Sequence, residues 1–238
     1  MNWLRWIPFL LAAAAAQAQT PDVIDDESRV PKYTLPDALT MRNGERVRDA
    51  KTWTGRRRPE ILEIYQTEVY GRSPGRPVKL NSEITSIDKQ ALEGKAIRKQ
   101  VTVYFAGQDG PKNLSARSRM DILIYLPAAA KKPVPVILGL SFSGNQTVAA
   151  DAGIRLGQEW VKGVKQPAEA KSRGARTQQW QVGQILAHGY GLATIYYGDI
   201  EPDFDGGMKY SIRPLFFKPG QTEPAADEWA PSPPGRGG

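Results

Sequence analysis

Apolar and polar positions along the chain fall into three patterns, and each predicts a different element. Ile61, Leu62, Tyr65 and Val69 recur at three- and four-residue spacing, which puts them on one face of a helix. Thr52 or Thr54 would cap that helix, Pro59 falls near its first turn and Gly71 ends it. Residues 80–87, 96–105 and 119–126 read as strands. In the last two, Ile97, Val101, Val103 and Phe105, then Met120, Ile122 and Ile124, alternate with polar residues as in half-buried antiparallel strands, with 107–111 as the turn between them. Past the breaker Lys131-Lys132-Pro133 the alternation gives way to nearly unbroken apolar runs at 134–140 and 192–197, the pattern of central strands covered on both faces. A long polar stretch separates the two runs. It carries a predicted helix over 177–187, stopped by His188-Gly189.

An antiparallel meander followed by buried strands that alternate with helices predicts an α/β fold whose mixed sheet becomes parallel. Residues 1–18 look like a signal peptide: one positive charge at Arg5, an apolar stretch through Ala16, and the small residues of Ala16-Gln17-Ala18 at the cleavage position. Residues 19–50, with Pro21, Pro31 and Pro36, read as an extended N-terminal arm, and 51–229 as the folded domain. The turn cluster 70–77 contains Arg72 and Arg76, which serve either solvation or an anion contact. Asp227-Glu228-Trp229 looks like the opening of a further helix, with acidic residues at the positive end of its dipole. The Pro/Gly tail 230–238 cannot continue one. One reading is a one-nucleotide frameshift after Trp229, because codons for Ala230–Gly238 can be chosen so that the neighbouring frame encodes Gly-Ala-Ile-Ser-Ala-Trp-Ala-Trp-Gly.

Composition then narrows the chemistry. The 238 residues contain no Cys and a single His, which excludes disulfide scaffolds, thiol nucleophiles and multi-histidine metal sites. The net charge of +7 fits nucleic acid, an acidic polysaccharide or anionic lipid, and an export signal argues against the first. After signal cleavage no segment is long and apolar enough to imply membrane attachment.

Gly139-Leu140-Ser141-Phe142-Ser143-Gly144 nearly fits the Gly-x-Ser-x-Gly elbow that exposes a nucleophilic serine, but the glycine required two places after Ser141 is Ser143. The loop Phe142, Ser143, Gly144, Asn145 better suits another task, offering backbone N–H groups to an oxyanion, and a plain turn is the bland alternative. His188 is placed as a helix-terminal residue. Asp199, Glu201, Asp203 and Asp205 follow the second apolar run. That position is close to the ligand crevice of open α/β sheets, so Asp199 and Asp203 are candidates to line it, although a solvated loop or a cation site gives the same pattern. Trp160, Lys162, Lys165, Lys171, Arg173, Arg176 and Trp180 could hold sugar rings bearing carboxylates, or could be packing with a solvated basic face.

The order of motifs resembles the N-terminal half of the bacterial glucuronoyl esterases, carbohydrate esterase family fifteen. The resemblance is carried by Arg57-Arg58-Pro59-Glu60-Ile61, Glu68-Val69-Tyr70-Gly71-Arg72, Phe142-Ser143-Gly144-Asn145, Gly189 to Thr194, Tyr197-Gly198-Asp199-Ile200 and Asp227-Glu228-Trp229. It implies a secreted serine esterase with an α/β-hydrolase-type mixed sheet, cutting esters between lignin alcohols and glucuronic acid branches of xylan, without metal or other cofactor. In that family the Ser-Arg elbow, the acid and the His come after the Asp-Glu-Trp helix. No catalytic residue can therefore be carried over, and the expected product is an inactive front portion truncated before the nucleophile elbow. The alternatives are a non-catalytic fragment that binds acidic polysaccharide, or a hydrolase related to acetylxylan esterases.

Overall fold

The structure, a computed structural model, describes residues 26–73, 75, 79–106, 119–225 and 227–228. The signal-peptide segment, the 107–111 turn, Trp229 and the tail with its frameshift reading lie outside the described residues. The chain divides into two units, residues 1–60 and 61–238.

In the first unit, Asp49 caps the helical stretch, its carboxylate accepting from the N–H of Thr52 at 2.7 Å. The stretch therefore starts earlier than Thr52 or Thr54 would have set it. Ala50–Thr52 leads into a wide π-type turn, Trp53–Arg57, and then into Arg58–Ile64. The wide turn sits where Pro59 has no N–H to give, which fits a helix that must re-space its hydrogen bonds around a proline. Arg57 is buried, and it is satisfied by Glu60 at 2.5 Å and by the carbonyl of Ala38 at 2.9 Å.

The second unit opens with the π-type turn Tyr65–Val69, and Gly71 at φ +74° closes the helical stretch. It is built on a five-stranded sheet. Strands β1 (Lys79–Ala91), β2 (Ala96–Ala106) and β3 (Arg119–Pro127) form the antiparallel meander that alternation predicted. Two further strands follow, β4 (Val136–Ser141) and, later in the chain, β7 (Gly191–Tyr196). The order is β1-β2-β3-β7-β4, with β7 antiparallel to β3 and parallel to β4.

This order corrects one expectation about each apolar run. β4 is not a central strand: it lies at the sheet edge, with Leu138 66% and Leu140 60% exposed. The run that ends at Tyr196 is the central one. It inserts between β3 and β4, is hydrogen-bonded on both sides and is buried at every residue. A continuous apolar run is what both positions require of a sequence, and only the crossover decides which strand is inside.

The predicted helix over 177–187 is two helices, Thr177–Trp180 and Val182–Ala187, interrupted at Gln181, whose φ is +43°. Val182 and Leu186 pack with Ala96, Leu123, Tyr125, Val148, Ile154 and Leu192 into the core. Each large apolar side chain buried there contributes about 1.5–3 kcal/mol. A short hairpin in the polar connection was not anticipated: β5 (Gln158–Val161) pairs with β6 (Val164–Pro167) across Lys162-Gly163, both with positive φ. Two left-handed residues in succession are what a two-residue hairpin turn demands.

Asp227 and Glu228 do not open a helix among the described residues. The N–H of Arg72 donates to the carbonyl of Asp227 at 2.6 Å, and Glu228 forms an isolated bridge to Arg72. The Arg72 guanidinium reaches Glu63 at 2.5 Å and the Asp227 carboxylate at 3.0 Å, so this arginine of the turn cluster is an intramolecular anchor.

Candidate functional site

The loop Phe142–Asn145 leaves the carboxyl end of β4 beside the end of β7, and its geometry separates four neighbouring residues into different tasks. Asn145 is a strut. Its Nδ2 donates to the carbonyl of Asp121 on β3 at 2.8 Å, and its Oδ1 accepts from Thr194 Oγ1 on β7 at 2.9 Å. With both ends of the amide engaged, it pins the loop across two strands.

Gly144 donates its N–H to Glu159 Oε1 on β5 at 2.7 Å, so that donor is already committed. The same oxygen accepts from Nε2 of the fully buried Gln146 at 2.9 Å. A Cβ at Gly144 would lie 2.3 Å from Gln146 Oε1, so glycine is required here for space and not for conformation. Of the four oxyanion-loop candidates, Phe142 and Ser143 keep backbone N–H groups that nothing accepts from among the described residues. The Phe142 ring is 72% exposed and stacks on Tyr197 at 4.5 Å.

Ser141 is buried in the last position of β4. His188, the only histidine of the chain, caps the C-terminus of Val182–Ala187 and is exposed. Val136 lies opposite Gly191 and Ser141 opposite Tyr196, so His188 stands at the other end of the strands. Six residues of strand span roughly 17 Å, far beyond hydrogen-bond reach. His188 therefore cannot activate Ser141 or Ser143.

The carboxylate run past β7 is dispersed. Asp199 turns inward, accepting from the N–H of Asp121 at 3.3 Å with Lys165 Nζ at 3.7 Å. Burial pushes its carboxyl up to about 6, although Lys165 and the Asp121 N–H pull in the opposite direction. It lines a small crevice with Asp121, Gly144, Asn145, Arg155 and Tyr196. Asp203 and Asp205 are exposed, and Glu201 pairs with Arg213 at 2.5 Å. Among the described residues no group of three or more acidic or histidine side chains could hold a metal ion.

The aromatic and basic residues are largely structural. Trp160 Nε1 donates to the carbonyl of Gly198, and its ring packs against Phe204 and Tyr210. Lys165 Nζ lies 5.7 Å from the centre of the Trp160 ring, and Trp180 packs under Gly139. Lys171 pairs with Glu169, and Arg173 donates to the carbonyls of Asp151 and Ile154. Glu159 and Gln146 are the site residues that sequence reasoning missed. The alternation Glu159, Trp160, Val161 around Lys162-Gly163 was the available signal for the hairpin that delivers Glu159.

No family model matches the chain. The fold superposes on the glucuronoyl esterase from Solibacter usitatus with a TM-score of 0.80 and 59% identity, covering 85% of this chain and 50% of that one. The chain is similar to the glucuronoyl esterases of carbohydrate esterase family fifteen. A promiscuous family-fifteen esterase from a marine bacterial metagenome is 40% identical with a TM-score of 0.69, over 86% of this chain and 50% of the other. Carbohydrate esterase MZ0003, from an unknown prokaryotic organism, is 42% identical over 211 residues, 86% of this chain and 47% of its own length. The five-stranded sheet is thus the mixed sheet of α/β-hydrolase type expected from the motifs. The chain spans about half the length of the relatives it matches.

Proposed function

We propose that this chain is part of a secreted carboxylic ester hydrolase for glucuronoyl esters of xylan, supplying a loop that receives the acyl oxygen but no nucleophile of its own. The observation that carries the reading is the loop after β4, with two unengaged N–H groups at Phe142 and Ser143 held in place by Asn145 and Glu159, on a scaffold 59% identical to a glucuronoyl esterase. Backbone donors preorganised in this way stabilise the oxyanion of a tetrahedral intermediate. Such a loop needs a serine activated by a base, and a general base alone is commonly worth ~10²–10⁴-fold. The separation of His188 from Ser141 supports the absence of that pair.

Incubating the purified chain with a benzyl ester of glucuronic acid tests this: release of benzyl alcohol is expected to stay at the rate seen in buffer. Clear turnover at neutral pH by the chain alone would overturn the proposal. An acetylxylan ester offered in parallel separates the glucuronoyl reading from a related deacetylating one. A second reading, retention of acidic polysaccharide without catalysis, is favoured by one observation, the ammonium groups of Lys165 and Lys209 over the rings of Trp160 and Tyr210. Salt-sensitive retardation on a glucuronoxylan gel is its measurement. Neither reading involves nucleic acid or, once residues 1–18 are removed, a membrane.

A further inference from the structure

The edge of the sheet at β4 is unusual for a strand of its composition. The carbonyl of Pro135 accepts from Gly191 N–H at 2.8 Å, so the polar backbone groups of 135, 137, 139 and 141 face β7, and those of Val136, Leu138 and Leu140 face outward. The side chains of the same three residues share one face of the strand and are 46%, 66% and 60% exposed. Open edges of natural sheets are normally blunted by charge, proline or a bulge. β4, Val-Ile-Leu-Gly-Leu-Ser, has none of these. The opposite face of the strand is filled: Gly139 lies against Trp180, and Ser141 is buried.

We propose that β4 is a docking site for a second polypeptide, one that adds a strand along Val136–Ser141 and lays an apolar face over Val136, Leu138 and Leu140. The occupant is a chain equivalent to the half of the glucuronoyl esterase relatives that this chain does not span, a choice that rests on the functional reading above. Those relatives are about twice as long as the matched region. A second copy of this chain fits the surface less well. Pairing two β4 edges satisfies the outward N–H and C=O groups but leaves Leu138 and Leu140 bare. The occupant must bring both an edge strand and an apolar layer.

The experiment is co-expression of this chain with the tagged uncovered half of the Solibacter usitatus glucuronoyl esterase. A 1:1 complex is expected by size-exclusion chromatography with light scattering. The amides of Leu138 and Leu140 should exchange at least tenfold more slowly in it than in the free chain. Leu138→Lys, a change at an exposed position that leaves the circular dichroism of the free chain unaltered, is expected to weaken the complex at least tenfold. Leu80→Lys, also at an exposed position but on the opposite edge strand β1, should leave it intact. A partner half that stays insoluble beside this chain, a soluble pair that does not associate, a complex indifferent to Leu138→Lys, or a homodimer in place of the heterodimer would each overturn the proposal. A 1:1 complex sensitive to Leu138→Lys that leaves glucuronate esters intact supports the docking and overturns the functional reading instead.

Discussion

Glu159 on the β5–β6 hairpin accepts the backbone N–H of Gly144 at 2.7 Å, and with the same oxygen the side-chain amide of buried Gln146 at 2.9 Å. One carboxylate thus holds the turn that follows β4. Hydrogen bonds to a charged acceptor are worth about 1.5–3 kcal/mol each, and removing the acceptor strands a buried donor. Glu159→Ala is expected to lower stability by about 2–4 kcal/mol in urea titrations and to speed exchange of the Gly144 amide. Glu159→Gln keeps an acceptor and should cost roughly 1 kcal/mol.

Gly144 has an ordinary φ of −58°, so its requirement is spatial. Gly144→Ala drives a methyl group against Gln146 Oε1, at 2.3 Å, and against Glu159 Oε1, at 2.9 Å. Neither neighbour can retreat without giving up its own hydrogen bond. A loss of about 1–3 kcal/mol is expected from thermal denaturation, as for overpacking elsewhere.

Asp199 makes an unfavourable contribution at neutral pH. Folding raises its carboxyl from 3.8 to about 6, so between these values the folded state binds more protons than the unfolded one. Stability from this group is then full below pH 3.8 and declines as pH rises to 6. Asp199→Asn keeps an oxygen for the Asp121 N–H and removes the charge. Up to about 3 kcal/mol of stabilisation is expected at pH 7, with little at pH 3.5, in parallel urea titrations.

The ion pair of Arg98 with Asp151, at 2.5 Å and with both side chains nearly buried, behaves in the opposite sense. Burial acts to raise the Asp151 carboxyl, but hydrogen bonds from Tyr125, Arg98 and the Gly153 N–H hold it below the usual carboxylate range. Its stabilisation is present above pH 3.8 and lost as pH falls through the lowered value. Asp151→Ala leaves the Arg98 guanidinium buried without its partner and is expected to cost about 3–5 kcal/mol, against about 1–2 kcal/mol for Tyr125→Phe. Chemical denaturation at pH 7 distinguishes the two.

The legible parts of this molecule are those with local causes. Alternation along Ile97–Phe105 and Met120–Ile124 is a property of neighbouring residues, and it placed β2 and β3. Gly189 stopped a helix because a residue at φ +78° cannot extend one. The loop Phe142–Asn145 and Asp199 stood out as polar residues directly after apolar runs, where strands end. Their division of labour was hidden, because it depends on a partner 15 residues from Gly144, one 24 residues from Asn145, and a third 49 residues from it.

The sequence by itself determined that this protein builds a mixed sheet from an alternating meander and two apolar strands, and that its motifs match half of an esterase. Tertiary structure alone decided that β7 inserts beside β3 and leaves β4 at the edge, that Glu159 claims the Gly144 N–H, and that His188 lies a full strand length from Ser141. The reason is physical: composition and periodicity record how far a residue must be shielded from water, whereas strand order and pairing are fixed by contacts between segments distant along the chain.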